Sequence, residues 1–165
     1  MKKTDLAYTA GIIDGEGCIY IAKATAQYNK LRPRYGLFIK VASTDEWLCQ
    51  WLKFAWGGSI ILIPNHSRNT KWSDAWNWTI QTNQALLLLK AILPYLRLKR
   101  PQAELAIQFQ ERKRQRNQYS PNNSEFVVEE AEYILMKSMK HNKRKPPRVT
   151  PYDIAMREQE PKGVA

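Results

Sequence analysis

The chain has 165 residues, of which 44% are hydrophobic, and it carries a formal net charge of +11. Its length predicts one domain that buries a proper core, and its hydrophobic content excludes a disordered chain. The positive charge favours a polyanionic partner, and nucleic acid, a membrane surface or a ribosome would each satisfy it.

Two further patterns narrow the class of protein. No apolar run reaches the ~18 residues of a membrane span, and the amino terminus lacks the apolar centre of a signal peptide, so we expect an intracellular protein with no membrane partner. Cys18 and Cys49 lie far apart, with neither a C-x-x-C pair nor a His/Cys cluster. The sequence therefore predicts no zinc site and no disulfide framework, and we expect both cysteines to be reduced packing residues.

The first predicted element is a helix with Thr4 as its N-cap. At about 100° per residue, one narrow side of it carries Ala7, Ala10, Gly11 and Asp14. Small residues bury little area but let another backbone approach closely, which would explain a helical Gly11 that costs about 0.5–1 kcal/mol relative to Ala. Gly15 and Gly17 are predicted to end the helix and to hold Glu16 between them at its exit.

The elements that follow are predicted to alternate between strands and helices. Extended patterns predict strands at 18–27, 35–43, 59–63 and 72–81. Ser43 and Glu46 are predicted to form the capping box of a second helix, and further helices are predicted at 83–93, 101–116 and 124–139. The six tryptophans are expected mainly to fill the layer between sheet and helices, with base stacking as the alternative. Residues 141–165 are basic and polar, and we expect a mobile tail there.

The second predicted strand separates two kinds of side chain. Leu37, Ile39 and Val41 share one face, which suits a core. Arg34 and Lys40 lie on the opposite face and suit phosphates or base edges, so this second face is a candidate contact surface for nucleic acid.

Residues 9–17 resemble the signature motif of the LAGLIDADG homing endonucleases. The segment is Thr9-Ala10-Gly11-Ile12-Ile13-Asp14-Gly15-Glu16-Gly17. Gly15 and Glu16 are familiar variants of the motif's Ala and last Asp, and Thr9 replaces its first Leu. The similarity covers roughly residues 5–103 and implies an α+β fold, a LAGLIDADG-type αββαββα domain whose antiparallel four-stranded sheet packs on helices. It implies a single domain at 1–140, with extra C-terminal helices at about 101–139, that offers the open face of its sheet to DNA.

Cleavage of a phosphodiester needs an activated water, a divalent metal and stabilisation of the leaving oxygen. Asp14 and Glu16 lie about 200° apart on a helix and so point in different directions. Asp14 is expected on the close-packed side, bonded to backbone amides of a partner helix, whereas Glu16 emerges at the tip. Two chains packed through the small side would bring two Glu16 side chains together on a dyad, which predicts a homodimer.

The resemblance also implies roles for other residues. The carbonyl of Gly15 would join Glu16 in binding Mg²⁺ or another divalent cation such as Mn²⁺. Lys99 matches a basic residue that orders water and stabilises charge, with a simple phosphate contact as the alternative. Ser43 stands where relatives often carry the Gln that organises water, so it is the third catalytic candidate. Contacts to DNA are expected from Tyr20, Arg34, Lys40, Arg68, Lys71, Asn77, Arg97, Arg100, Lys143 and Arg144.

The alanines of the first predicted strand are a separate feature of this surface. Ala22, Ala24 and Ala26 alternate along it, which indicates little hydrogen-bond readout there or contact with thymine methyl groups.

The resulting prediction is an intron-encoded, homodimeric, metal-dependent endonuclease that makes double-strand breaks in a long pseudo-palindromic DNA site. The alternative is an intron RNA maturase or a DNA-binding regulator of the same fold that does not cleave. Glu16 favours the enzyme, because a protein that only binds has no use for an acid beside phosphates. A ribosome-associated protein would explain the charge but not the motif at residues 9–17.

Overall fold

The structure is a computed structural model that describes residues 1–24, 33–64, 73–115 and 123–141. Its elements in chain order are α1 (Lys3–Gly15), β1 (Gly17–Ala24), β2 (Arg34–Ser43), α2 (Glu46–Trp56), β3 (Ser59–Ile63), β4 (Ala75–Gln81), α3 (Thr82–Ile92), a 3₁₀ turn (Leu93–Tyr95), α4 (Arg100–Gln115) and α5 (Asn123–His141). The predicted α+β class and the order αββαββα are therefore confirmed, with α4 and α5 as the extra C-terminal helices.

The four strands form one antiparallel sheet in the order β1-β2-β4-β3. Because residues paired across strands point to the same side, the register sorts the side chains into two faces. Ile19, Ile39 and Ile80 form one row and point toward the helices. The alternate row, Cys18, Lys40, Thr79 and Ser59, points away from them. We call the side that carries Lys40 the open face.

The core lies between the helix side of the sheet and the helices. Leu37, Ile39 and Val41 of β2 are fully buried there, as the alternation along this strand predicts. Most of the tryptophans also pack against this core, namely Trp51, Trp56, Trp76 and Trp78. Among the described tryptophans Trp47 is the exception, with 62% of its surface exposed, and Trp72 lies outside the described residues.

Helix α5 is held over the first hairpin by charged groups. Glu130 accepts hydrogen bonds from Lys23 of β1, at 2.7 Å, and from the hydroxyl of Tyr35 of β2. Glu132 pairs with Arg112 of α4. Lys23 and Tyr35 are partners in the strand register, so Glu130 binds both strands of the hairpin at one level.

Two predicted helix starts are wrong. Helix α1 begins at Lys3 rather than after Thr4, and the backbone N–H of Lys2 donates to Asp5 at 3.3 Å. Helix α2 is capped by Asp45, whose carboxylate accepts the N–H of Trp47 at 2.9 Å. Ser43 still belongs to β2, and its hydroxyl accepts the N–H of Asp45 at 3.0 Å. Ser43 therefore positions the capping residue but is not the N-cap of α2.

Some predictions fall on residues that lie outside the described ranges. These are the continuation of β1 to residue 27, the start of β4 at residue 72 and the tail at 142–165.

Candidate functional site

The candidate site is built on the C-terminal tip of α1. The helix ends at Gly15, and the N–H of Glu16 donates to the carbonyl of Ile12 at 2.8 Å. Glu16 keeps right-handed backbone angles, with φ −105° and ψ −14°, so the helix ends without a left-handed residue. Its side chain is exposed, whereas Gly17 is buried and starts β1. The backbone of Glu16 is therefore held between a helix end and a strand start, and its exposed side chain projects from that point.

Gly17 is required by close approach. A Cβ added at this position would lie 2.7 Å from the Cα and from the carbonyl oxygen of Ile13. In contrast, beyond the adjoining backbone of α1 a Cβ added at Gly15 meets no atom within 4 Å among the described residues. Of these two glycines that flank Glu16, only Gly17 is demanded by the folded chain itself.

We predict that Gly17→Ala lowers the free energy of unfolding by about 1–3 kcal/mol, because the added methyl must push the last turn of α1 away from β1. Gly15→Ala is the matched control and should be neutral or stabilising by up to about 1 kcal/mol. Urea unfolding of the two variants measures the difference. Equal stabilities for both would show that the contact with Ile13 does not matter.

The sequence predicts that Asp14 bonds backbone amides of a partner helix, but in the structure its carboxylate bonds amides of its own chain. Its Oδ2 accepts the backbone N–H of Arg97 at 2.7 Å, and its Oδ1 accepts that of Lys99 at 2.9 Å. The physical reason is that the turn before α4 folds back against the end of α1 and presents two backbone donors there. The carboxylate thus bonds backbone amides, but they belong to its own chain.

The Lys99 side chain adds a second connection between the turn before α4 and the end of α1. Its ammonium donates to the carbonyls of Ile13 at 2.8 Å and Asp14 at 2.6 Å. These carbonyls belong to the last turn of α1, where a helix leaves acceptors without partners and where a positive charge is favourable. The carbonyl of Lys99 meanwhile accepts the N–H of Ala103 in the first turn of α4. Lys99 therefore ties the end of one helix to the start of the next, directly beside Glu16.

Ser43 lies at the same end of the sheet. Gly17 pairs with Val41, so the residues of β2 just beyond Val41 lie at the level of Glu16. The structure therefore brings the three predicted catalytic residues, Glu16, Ser43 and Lys99, to one region around the tip of α1.

The predicted DNA-contact residues are only partly available on the open face. Arg34 is exposed, and Lys40 and Tyr20 are half-buried. Burial raises the pKa of the Tyr20 hydroxyl, and electrostatic repulsion from Cys18 raises it further. Asn77 points to this face but is only 6% exposed, because it lies on an inner strand between its register partners, and it is a poor contact candidate.

Four of the predicted contact residues cannot be placed, since Arg68, Lys71, Lys143 and Arg144 lie outside the described residues. Arg97 and Arg100 are exposed in and after the turn that binds Asp14. Arg100 also pairs with Glu104 at 3.0 Å, and both side chains remain about half exposed.

The exposed side of α1 is rotated from the predicted one. Ala10 is 1% exposed and packs in the core of its own chain, so it offers almost no surface to a second chain. Ala7 and Gly11 are exposed, and they share the outer side of the helix with Thr4 and Gly15. Apart from the exposed Tyr8, which shares it, this side still consists of small residues.

An exposed aromatic surface, formed by residues of α1 and α2, was not predicted from the sequence. Tyr8, 50% exposed, packs edge-on against Trp51 of α2 with ring centroids 5.1 Å apart. Trp47 and Phe54, seven residues apart on α2, are 62% and 93% exposed. This spacing, two turns of a helix, was the available signal that they share a face.

Two features are absent from the described residues. No three His, Cys, Asp or Glu side chains in the described ranges lie together as a potential metal site. None of the helices in that part of the chain is both long enough and apolar enough to cross a lipid bilayer.

Comparison with known proteins identifies the fold. No protein-family model and no curated protein matches the chain. Solved structures do match it, and they are LAGLIDADG homing endonucleases, so the chain has the LAGLIDADG homing endonuclease fold and the predicted resemblance is confirmed at the level of the fold.

Three of these structures describe the range of similarity. I-CvuI in complex with the I-CreI target is 19% identical, with a TM-score of 0.69 and a match that covers 87% of each chain. The archaeal intron-encoded I-Vdi141I complexed with DNA is 10% identical, with a TM-score of 0.62 and 95% of each chain covered. I-GzeII in complex with its DNA target is 17% identical, with a TM-score of 0.58, and the match covers 80% of this chain but 43% of I-GzeII.

Proposed function

We propose that the protein is a homodimeric, site-specific DNA endonuclease whose cleavage requires Glu16 and a divalent metal ion. The observation that carries this proposal is the exposed Glu16 carboxylate at the tip of α1. The hydrogen bonds between Asp14 and Lys99 hold this tip rigidly beside a basic sheet face. A rigid acid next to a phosphate-binding surface is what a nuclease needs and what a simple DNA-binding protein would avoid.

The donor atoms at the tip fit Mg²⁺. The Glu16 carboxylate and the Gly15 carbonyl are both oxygen ligands, which Mg²⁺ prefers. A bound metal would supply charge neutralisation at the scissile phosphate and an activated water. The chain's own residues have other tasks: Lys99 and Asp14 fix the position of Glu16, and Lys40 and Arg34 hold the DNA backbone. I-CvuI was crystallised in the presence of Mg or Ca, which supports a divalent cation in a protein of this fold.

Two observations support a homodimer. Gly11 is exposed in the middle of α1, and beyond the adjoining backbone of the helix itself a Cβ added there would meet no atom within 4 Å among the described residues. A helical Gly costs roughly 0.5–1 kcal/mol relative to Ala. The fold of a single chain does not require glycine at this position, whereas the close approach of a second chain would require it. I-GzeII is more than twice as long as the stretch that this chain covers, so one I-GzeII chain has room for two such units. Two chains related by a dyad would place two Glu16 residues beside each other.

The open face suits a DNA duplex electrostatically. Arg34 and Lys40 lie on it, and the whole chain carries a net charge of +11. If a dimer neutralises about ten phosphates, the logarithm of the binding constant should fall with the logarithm of the salt concentration at a slope of roughly −9. Removal of the chain after Lys140 should reduce that slope without altering base preference.

Fluorescence anisotropy with a labelled duplex at several salt concentrations measures this slope. Arg34→Gln should reduce it by about 2 per dimer, one phosphate contact in each half. Lys53→Gln is the matched control, because Lys53 is exposed on α2 in the helix layer. A slope of about −2 for the parent protein would mean that the basic surface is not the DNA footprint.

The alternatives, an intron RNA maturase or a regulator without cleavage, use the same fold and the same basic face. They differ from the endonuclease in having no need for Glu16 at the tip.

We also infer that the protein is intron-encoded and works inside the cell. The test joins the two sequences that flank the presumed intron into one duplex and adds the protein with Mg²⁺. A double-strand break near the junction is expected, whereas an intact duplex that the protein nevertheless binds would favour the alternatives.

A further inference from the structure

The open face is basic at a few positions but apolar over much of its area. Strand register places on it the side chains of Ala22, Ala24, Phe38, Ala42, Ile61 and Ile63. Ile61 is 62% exposed and Ile63 is 46% exposed. Such a surface is costly in water, and a functional contact that covers it would recover that free energy.

An aromatic pair stands at the centre of the outer hairpin. Tyr20 and Phe38 are stacked, with ring centroids 5.6 Å apart and planes 17° from parallel. The Phe38 ring also lies over Gly36, where an added Cβ would be 3.1 Å from the ring. These contacts hold the Phe38 ring in one position on the open face, so it is preorganised for whatever docks there.

Charged and polar side chains are interspersed with the apolar ones on this face. Lys40 lies in a row with Thr79 and Ser59, and Arg34 lies at the far end of β2. The Lys40 row thus runs between Phe38 and Ile61, so groups that can meet phosphates alternate with apolar groups that can meet base edges, which complements a duplex with its major groove turned toward the sheet.

We propose that, within the DNA-binding function proposed above, the open face recognises the C5-methyl groups of thymine, with Phe38 and Ile61 as specificity determinants. The thymine methyl is the apolar group that base edges present in the major groove, and alkyl and aromatic side chains contact it. Alanine, phenylalanine and isoleucine cannot read a base edge by hydrogen bonds from their side chains. The preferred target is therefore rich in A·T pairs at the positions that face β1, β2 and β3.

The expected effect follows from the area of a methyl group. Burial of one such group is worth about fourfold in affinity. In a symmetric dimer each contact occurs in both half-sites, so loss of one type of contact should cost about 16-fold.

The test uses two pools of randomised duplexes, one made with thymidine and one with deoxyuridine, which lacks the C5-methyl. The full-length native protein is used to enrich bound sequences from each pool in the absence of divalent metal. We expect the thymidine pool to converge on sites with thymine at fixed positions in each half, and we expect replacement of these thymines by uracil to weaken binding by about 16-fold for each symmetric pair. Equal affinity for the two forms would overturn this inference and leave the proposed function standing. Failure to bind duplexes of either pool would overturn both.

Two neighbouring residues of β3 supply a matched pair of variants. Ile61 points to the open face and Leu62 to the opposite face, and both are exposed, so neither change should unfold the protein. Ile61→Ser should remove part of the preference for thymine over uracil, and Phe38→Ala should remove more, whereas Leu62→Ser should preserve it. If Ile61→Ser left the preference unchanged and altered only self-association, the apolar face would be a protein contact and the inference would be wrong.

Discussion

Replacement of Glu16 by Gln is expected to reduce DNA cleavage by at least about 100-fold in the presence of Mg²⁺, with little loss of DNA affinity. Glutamine keeps the size and hydrogen-bonding capacity of the side chain but removes the charge that would hold a cation. Glu16 is exposed and its side chain is not part of the core, so the fold should not suffer. Affinity should stay equal or rise slightly, since a negative charge beside phosphates is removed.

Single-turnover cleavage with Mg²⁺ and equilibrium binding without it measure the two effects separately. Glu104→Gln is the matched control, because Glu104 is an exposed acid on α4 whose only recorded ion pair among the described residues is with Arg100. Asp14→Asn should behave differently from both, because Asp14 binds two backbone amides of the turn before α4, and its loss should lower stability first. A Glu16→Gln protein that cuts at the parental rate would refute the catalytic assignment.

Gly11→Leu is expected to separate the dimer into monomers without unfolding them. Within one chain the position is open, and Leu is favoured over Gly in a helix by somewhat less than the roughly 0.8–1 kcal/mol that separates Ala from Gly, so the isolated protomer should be at least as stable. In a dimer packed through α1, the same side chain would hold the two helix backbones apart. Cleavage should be lost together with association, because each chain supplies one Glu16.

Sedimentation equilibrium at micromolar concentration distinguishes the two states, since the protomer has a mass of 19.3 kDa. Gln108→Leu, an equally exposed position on α4, is the control and should leave the dimer intact. A Gly11→Leu protein that remains dimeric would show that α1 is not the interface. A parent protein that sediments as a monomer would contradict the dimer itself.

Much of the fold could be predicted because its signals are local. The predicted alternation of buried and outward-facing residues along β2 is correct. The predicted bounds of β3 are also correct, and so is the helical pattern that predicts α3. The motif at residues 9–17 marked the helix tip that carries Glu16. These features depend on periodicity and on residues near one another in the sequence.

The errors concern choices that only the folded chain makes. Ser43 and Asp45 are both good capping residues. Because β2 extends through Ser43, α2 begins later and Asp45 is its N-cap. Helical periodicity placed Ala10 beside Gly11 correctly, but it could not tell which of them faces the core. The partners of Asp14 lie 83 and 85 residues away, so no local pattern could have identified them. The same is true of Glu130, which binds Lys23 across 107 residues.

The central claim is that a dimer of this chain cuts a specific duplex at a site completed by two Glu16 residues. Its most direct test is a cleavage selection from a library of inverted repeats, with about ten randomised base pairs, one helical turn, on each side of the dyad. The native protein with Mg²⁺ is predicted to release double-strand ends that converge on one sequence, while EDTA or Glu16→Gln should yield none. If the native protein bound the library but released no sequence-specific ends, the protein would be a DNA-binding protein of this fold and the nuclease assignment would be wrong.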